Sequence, residues 1–533
     1  MEMRNISYFS IAFIVLVVSF PLDARVKGSK SQAVLKREIN FIIKRSNTPR
    51  TVKAIDIYSR RDGKNIYEFN SGFLLNPASN LKIVTASFAL QNLGIDYRFR
   101  TRFIVDGIRR PNSIDGDLVA AACGDPIVSH ADLDSIAGII SGSGIESIDG
   151  NLVIDASKFD SLEWGSGWMW DDEPGDYQMF IAPACLDHNT IEVLVSLDSI
   201  KHNLLITTQP VTAFVRIAST AVADIFDSLS VTRVMTNDIN TISVSGKYSP
   251  YLSPSDYYFS VRHPSHYFGT VFKEMLERHN IKLRGRVVVE DSLLRMDIAG
   301  RINKAATGPG TIWTLDHSLD TVVTYVNKVS DNLGAECLLR SVPNIIYGQT
   351  GSADNGIKLE KTFLSQCGVD STEYYIVDGS GLSHYDLITP DAIVKVLNYD
   401  LNQPYRDVFM HSLPVSGIDG TLEKRMNKDF AVGKILAKTG SISGVSTLSG
   451  YVLLPKDTLV FSMLMQNFIM SGDSIRALQD SIGTVLSLYD DNSATFVRNL
   501  KKNNAGTYWA AYEKRKFRLE EMNRNRRKKH ISK

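Results

Sequence analysis

The sequence predicts an α+β fold: a domain with an antiparallel five-stranded sheet and helices packed on it, interrupted by a large, mostly β insertion. Three observations carry this. Strand-like alternation occurs near both ends of the main body, helix-period apolar residues fill the segments beside it, and three polar motifs are unevenly spaced. Ser79-Asn80-Leu81-Lys82, Ser330-Asp331-Asn332 and Lys438-Thr439-Gly440 occur in that order, once each. The first gap is 330 − 79 = 251 positions and the second only 438 − 330 = 108. Roughly 200 residues, at 96–305, are therefore expected to fold outside the sheet-bearing domain.

The first organised unit follows a polar leader. Ala54–Ser59 alternates as a half-buried strand, Arg61-Asp62-Gly63 supplies a turn, and Asn65–Phe69 returns as a second strand. Asn76-Pro77-Ala78-Ser79 then opens a helix that runs to Leu93 and stops at Gly94, with Leu81, Val84, Phe88 and Leu90 as its apolar face. Ser79 is thereby placed at a helix start, where unpaired N–H groups and the dipole favour developing negative charge. Lys82 follows one turn later on the same face. A desolvated, neutral amine in that position can take the Ser hydroxyl proton.

The second motif interrupts a helical pattern. Val322, Val323, Val326 and Val329 precede it at helical spacing, and Leu333, Ala335, Leu338 and Leu339 continue it. A polar Ser-Asp-Asn between them suits a short connection facing a cleft. Taken alone, it reads equally well as the cap of a second helix, with Ser330 or Asn332 as the capping residue. The third motif is expected at a strand end, after Val432–Ala437 and before a Gly/Ser turn at Ile442–Ser446. Strands at Leu448–Leu454 and Thr458–Met465 and an amphipathic helix at Ser474–Tyr489 close the domain. Two early strands and three late ones make five. Within 96–305, short alternating stretches such as Leu152–Ile154, Ile191–Leu197, Asn203–Thr207 and Val287–Glu290 read as mostly β.

Length and composition agree with a folded protein of several units. The chain has 533 residues, 44% hydrophobic and 22% charged, which is the balance of a core-forming globular chain. The formal charge of +1 hides an asymmetry. Residues 511–533 carry ten Lys/Arg against Glu513, Glu520 and Glu521, so +7, and the remainder carries 1 − 7 = −6. Arg4, the apolar Tyr8–Phe20 and Ala24 read as a signal peptide cut at Ala24/Arg25, with retention as an uncleaved anchor the competing reading. The expected division is a signal peptide at 1–24, the sheet-bearing domain at 25–95 and 306–495, inserted domains at 96–305, and a basic tail at 496–533. An exported protein in the periplasm or extracytoplasmic space follows. Cys123, Cys185, Cys337 and Cys367 allow three disulfide pairings or none, and spacing does not choose among them. No His-Glu-x-x-His or similar spacing occurs, so neither a metal nor another cofactor is expected.

Ser-x-x-Lys by itself arises about once or twice by chance in a chain of this size, but the ordered triple is the set found in penicillin-recognising serine enzymes. Pro77-Ala78-Ser79, Gly116-Asp117-Leu118, Gly124-Asp125-Pro126, Trp168–Asp172, Asp378-Gly379-Ser380-Gly381-Leu382-Ser383 and Gly420-Thr421-Leu422 narrow the likeness. Across most of residues 30–490 the chain resembles the D-alanyl-D-alanine carboxypeptidase/endopeptidase family, the class C, type-4 low-molecular-mass penicillin-binding proteins. Their sheet-bearing part is a β-lactamase/transpeptidase-like domain. The resemblance implies one inserted domain with a second nested in it.

It also implies acyl transfer. Ser79 attacks the carbonyl of a D-Ala-D-Ala or cross-link peptide bond of peptidoglycan, Lys82 is the base, and Ser330, Asn332 and Lys438 complete the hydrogen-bond network. The backbone N–H groups of Ser79 and Ser441 hold the oxyanion. Lys438, Thr439 and Gly440 belong to the substrate-binding strand, with Lys438 and Thr439 helping to hold the terminal carboxylate. Asp171 or Asp172 would read the amino group of the peptide side chain, with Ile442 as an apolar contact; a tryptophan pair anchoring a loop is the plainer alternative there. β-Lactams are implied as covalent inhibitors. No glutamate stands out as a deacylation base, which fits slow release of bound penicillin. The basic tail reads as a solvated extension or as attracted to an anionic membrane or wall surface, and nucleic acid is not an expected partner. A β-lactamase or Ser-x-x-Lys esterase, and a non-catalytic wall-binding protein, remain the alternatives.

Overall fold

Two segments far apart in the chain meet in one sheet. A computed structural model describes residues 30–48, 50–198, 203–249, 251, 254–290, 312–427 and 429–503. The expected signal peptide and residues 504–533 of the tail lie outside them. Lys64–Phe69, Val52–Ser59, Asp457–Gln466, Val445–Leu454 and Ile435–Ile442 form the sheet in that order, every neighbouring pair antiparallel. The period-2 alternation sorts their side chains. Ala54, Tyr451, Val460 and Leu464 face a core shared with the helix Leu81–Leu93. Ile55, Ile57, Phe461 and Met463 face a second core under the helices Lys30–Arg45 and Gly472–Ser487.

The helix Lys30–Arg45 falls where a polar leader was expected. Leu35, Ile39 and Ile42 repeat at helical spacing and are buried, a short apolar stripe diluted by Lys and Arg around it. The start of the expected tail is likewise packed. Ser493–Lys502 is a helix whose Phe496 and Leu500 are buried in the second core.

The helix Leu81–Leu93 differs from its expected one-sided form. Every residue from Leu81 to Leu90 is buried, because the sheet covers one side and the helices Leu319–Val329 and Asn332–Tyr347 cover others. Polar side chains inside it are therefore partnered. Thr85 donates to Gly379 O at 2.8 Å and Ser87 to Asp400 at 2.7 Å. Burial of Phe88 here is worth several kcal/mol, and truncation to Ala is expected to cost about 3–5 kcal/mol.

The inserted region opens with the hairpin Arg98–Arg109 and Ser113–Ala121. This pair lies in a seven-stranded sheet, with the helices His130–Gly142 and Pro264–Arg278 among its buried neighbours. Ile312–Ser318 pairs antiparallel with Arg98–Ile104 in the same sheet, so the sheet of the insertion extends past residue 305. Nested within it, Thr190–Leu197, Leu204–Gln209 and Ser255–Ser260 form one small sheet, and Arg216–Ser219, Ser230–Thr236 and Ile239–Ser245 another. Ile191, Val193 and Ile242 of this inner part share a core with Phe103, Phe268 and Phe272 of the outer part. All four cysteines are free thiols; Cys185 Sγ and Cys337 Sγ are 3.7 Å apart. Among the described residues no helix is long and apolar enough to cross a membrane.

Candidate active site

Ser79 lies in a short 3-10 turn, Ala78–Asn80, that leads directly into the helix Leu81–Leu93. The turn is fixed from both flanks. Asn76 Oδ1 accepts from Ala78 N at 2.8 Å, and Asn80 Nδ2 donates to Lys438 O at 2.9 Å. Thr447 donates to Pro77 O at 2.8 Å. These bonds tie the nucleophile turn to the strand Ile435–Ile442 and its neighbour.

Lys438-Thr439-Gly440 does not end that strand. The ladder continues through Ser441 and Ile442, which pair with Ser446 and Val445, leaving only Ser443 and Gly444 in the turn. A two-residue loop with Gly444 at φ 73° closes this hairpin without breaking the register. Gly440 is required by proximity. A Cβ there would lie 2.2 Å from Thr447 Oγ1 and 2.9 Å from Ser79 N.

Ser330-Asp331-Asn332 joins two helices, Leu319–Val329 and Asn332–Tyr347. Ser330 ends the first in a left-handed conformation, φ 69°, and Asp331 caps the second by accepting from Gly334 N at 2.7 Å. The cap is thus the middle residue, which frees Ser330 and Asn332 to face the lysines.

Lys82 is wholly buried. Its Nζ lies 2.9 Å from Ser79 Oγ, 2.7 Å from Ser380 O, and within hydrogen-bond reach of Asn332 Oδ1. Burial pulls its pKa down from 10.5 to about 8, against the opposing pull of Asp378, Asp331, Glu336 and Asp386. Two of its three partners, a peptide carbonyl and an amide oxygen, can only accept. A neutral amine donating to those two directs its lone pair at the Ser79 hydroxyl. Lys438 is also wholly buried and donates to Ser330 Oγ at 2.8 Å and Thr439 O at 2.9 Å. Burial and the nearby Lys82 charge push its pKa well below the ordinary lysine value. Thr439, whose hydroxyl lies 2.8 Å from Thr421 Oγ1, is nearer the surface than Lys438.

A cavity of about 490 Å³ opens at these groups. Ser79, Ser330, Asn332, Ser441 and Ile442 line it from the sheet-and-helix side, and Asp171 and Asp172 from the inserted side. Among the described side chains the catalytic candidates form two hydrogen-bonded groups, Lys82 with Ser79 and Asn332, and Lys438 with Ser330; Thr439 and Gly440 follow Lys438 on its strand. In the segment Trp168–Asp172 one tryptophan, not a pair, is the anchor. Trp168 is buried and donates Nε1–H to Asp378 at 2.9 Å, anchoring the segment, while Trp170 is exposed and the two Asp residues reach the cavity.

Several participants were not singled out individually. Ser380 supplies a carbonyl to Lys82, and Tyr177 supplies its own to Asn332 Nδ2 at 2.6 Å. The loop carrying Ser380 is held by two buried carboxylates. Asp378 accepts from Gly381 N and Ser383 N, and Glu336, paired to Arg340, accepts from Gly379 N and Ser380 N. Gly381, φ 75°, lets this loop press on the nucleophile turn, since a Cβ there would overlap Ala78 O at 1.9 Å. The Asp-Gly-Ser-Gly run was the available signal. Among the described residues no group of three His, Cys, Asp or Glu side chains could hold a metal ion.

The chain is similar to known proteins along most of its length. Residues 35–487 match the model of the D-Ala-D-Ala carboxypeptidase 3 (S13) family. A D-alanyl-D-alanine carboxypeptidase of Actinomadura sp. is 30% identical over 476 residues, 86% of each chain. The D-alanyl-D-alanine carboxypeptidase DacB of Haemophilus influenzae is 27% identical over 76% of this chain and 84% of its own. Penicillin binding protein 4 (dacB) from H. influenzae superposes with a TM-score of 0.70 at 23% identity, covering 86% of this chain and 99% of that one.

Proposed function

The chain belongs to the D-Ala-D-Ala carboxypeptidase 3 (S13) family of serine hydrolases, and on that premise we propose that Ser79 is its nucleophile and Lys82 the base that activates it. One observation carries the assignment: Lys82 Nζ is 2.9 Å from Ser79 Oγ in a site dry enough to hold the amine's pKa near 8. Ser79 Oγ bonds to the carbonyl carbon of the penultimate D-Ala as its proton passes to Lys82 Nζ. Backbone N–H groups of Ser79 and Ser441 receive the oxyanion. The C–N bond then breaks, and the leaving nitrogen takes a proton relayed through Ser330 Oγ, which Lys438 holds in place. Asn332 orients Lys82. Water hydrolyses the acyl-enzyme, returning Ser79.

Lys438 holds Ser330, and Lys438 and Thr439 would help to receive the substrate's terminal carboxylate at the strand edge. Peptidoglycan stem peptides are the proposed substrates, cross-linked ones included, with Asp171 and Asp172 reading a free amine and Ile442 packing against its chain. β-Lactams would acylate Ser79, in keeping with the H. influenzae relative solved in complex with a β-lactam. Export through the 1–24 segment suits a wall substrate, and we keep the basic tail as a candidate attachment to an anionic membrane or wall surface. We divide the chain as the sequence suggested, with the second join moved to follow Ser318.

The test is labelling by fluorescent penicillin together with release of D-Ala from a pentapeptide. The wild-type chain should form a persistent adduct and release D-Ala, and Ser79→Ala should do neither, a loss of about 10⁴-fold or more. Labelling that survives Ser79→Ala would overturn the assignment. Rapid turnover of penicillin by the wild type would favour a β-lactamase.

A further inference from the structure

Spacing leaves three disulfide pairings open, but the packed cores divide the cysteines into two pairs. Cys123 belongs to the core around the helix Leu81–Leu93, and Cys367 packs against that core. Cys185 and Cys337 belong instead to a small separate core with Phe159, Trp168, Leu333 and Leu382. This core lies where the inserted region meets the catalytic helices. Trp168 anchors the segment that brings Asp171 and Asp172 to the cavity. Leu333 follows Asn332 on the helix Asn332–Tyr347, and Leu382 belongs to the loop whose Ser380 carbonyl accepts from Lys82.

Within this core the two sulfurs touch. Cys185 Sγ and Cys337 Sγ are 3.7 Å apart, and both residues are buried. A disulfide needs about 2.05 Å, so each sulfur has about 0.8 Å to travel, a distance that side-chain rotation covers. Cys185 Sγ also donates to Ala182 O at 3.0 Å, a weak thiol bond whose loss costs little. Cys123 Sγ, by contrast, faces a hydroxyl, Thr101 Oγ1, at 3.6 Å.

We propose that Cys185 and Cys337 form a disulfide that staples the inserted region to the helix bearing Asn332. The bond is independent of the chemistry assigned to Ser79. It arises by exchange with a disulfide oxidant. One cysteine thiolate attacks the oxidant's S–S bond, releasing one thiol and leaving a mixed disulfide. The second thiolate attacks the protein sulfur of that intermediate and releases the other thiol. Two electrons pass to the oxidant, and the two cysteine protons end on the two thiols that it becomes. In the packed core the Cys337 contact and burial hold the Cys185 thiol well above its usual range, so exchange takes place during folding, before the core closes. The export proposed above would bring the folding chain to an oxidising compartment. With 152 positions between the two cysteines, the bond removes much of the unfolded chain's freedom. In the folded state it fastens the contact that holds Asp171 and Asp172 beside the nucleophile.

The experiment uses the full-length chain, secreted through a heterologous leader, with free thiols blocked by iodoacetamide in denaturant and the protein digested without reduction. A linked peptide joining Cys185 to Cys337 should appear and vanish on reduction. The Tm of the wild type should fall by about 5 °C or more when reductant is added. Cys337→Ala should melt at a temperature indifferent to reductant, while its acylation by fluorescent penicillin stays within about twofold of the wild type. Alkylated Cys185 and Cys337 in a chain that melts cooperatively, a bond to Cys123 or Cys367 instead, or a wild-type Tm indifferent to reductant would each overturn the proposal. A chain that carries the 185–337 link but takes up no penicillin would bear out the staple and count against the Ser79 assignment.

Discussion

The two walls of the catalytic cleft hold charge in opposite ways. On the sheet-and-helix wall, Lys82 and Lys438 are fully dehydrated and bond only to hydroxyl, amide and carbonyl oxygens. On the inserted wall, Asp171 and Asp172 remain in contact with water. Dehydration without a counter-ion destabilises an ammonium and makes a base available near neutral pH. Exposed carboxylates do little to protonation states but present charge to an incoming ligand. The first wall is built for chemistry and the second for recognition, and mutations on the two walls should fail differently.

The largest effect should come from the dry wall. Lys82→Met keeps volume and removes the base, so penicillin acylation should fall by about 10² to 10⁴. Folding stability should hold or rise, because an uncompensated buried ammonium is removed. Slow acylation together with a collapsed Tm would instead mark Lys82 as structural. Gly440→Ala is next. Its Cβ would meet Thr447 Oγ1 and Ser79 N, and a shift of about 1 Å between strand and nucleophile costs on the order of a hundredfold. Unchanged acylation kinetics in that variant would show that the strand does not set the position of Ser79.

The pH profile tests the dehydration argument itself. Below about pH 8 Lys82 is mostly protonated, so the acylation rate should climb about tenfold per pH unit and level off above 8. A flat profile from about pH 6 to 8 would break the contrast between the walls. The same shift predicts a stability trend. The folded pKa lies below the unfolded one, so between about 8 and 10.5 the unfolded chain holds more protons, and this group's contribution to stability grows as pH rises through that window. The smallest effect belongs to the wet wall. Asp171→Asn and Asp172→Asn should cost up to about tenfold, and only on peptides with a free amine. Equal losses on peptides lacking the amine would assign these residues to structure.

The legible parts of the site share one property: their role belongs to the side chain. Ser79, Lys82, Ser330, Asn332 and Lys438 could be named because hydroxyls, amines and amides at fixed spacing have few other uses in combination. Ser380 and Tyr177 contribute backbone carbonyls, which every residue carries, so no residue type announces them. The helix Lys30–Arg45 was obscured because its apolar stripe is thin and flanked by charge. Placing Lys438 at a strand end followed its Gly/Ser-rich sequel, but cross-strand pairing carried Ser441 and Ile442 into the ladder.

By itself, the sequence determined the α+β body, the split sheet, the large insertion and the order of the chemical groups, since periodicity and motif spacing are written along the chain. Only the tertiary structure decided that Lys82 and Lys438 lose their water, that Lys438 donates to Ser330, and that Asp171 and Asp172 of the inserted region line the same cavity as Ser79. Desolvation and enclosure belong to the surroundings of a residue, and those surroundings are assembled here from segments some 250 to 360 positions apart.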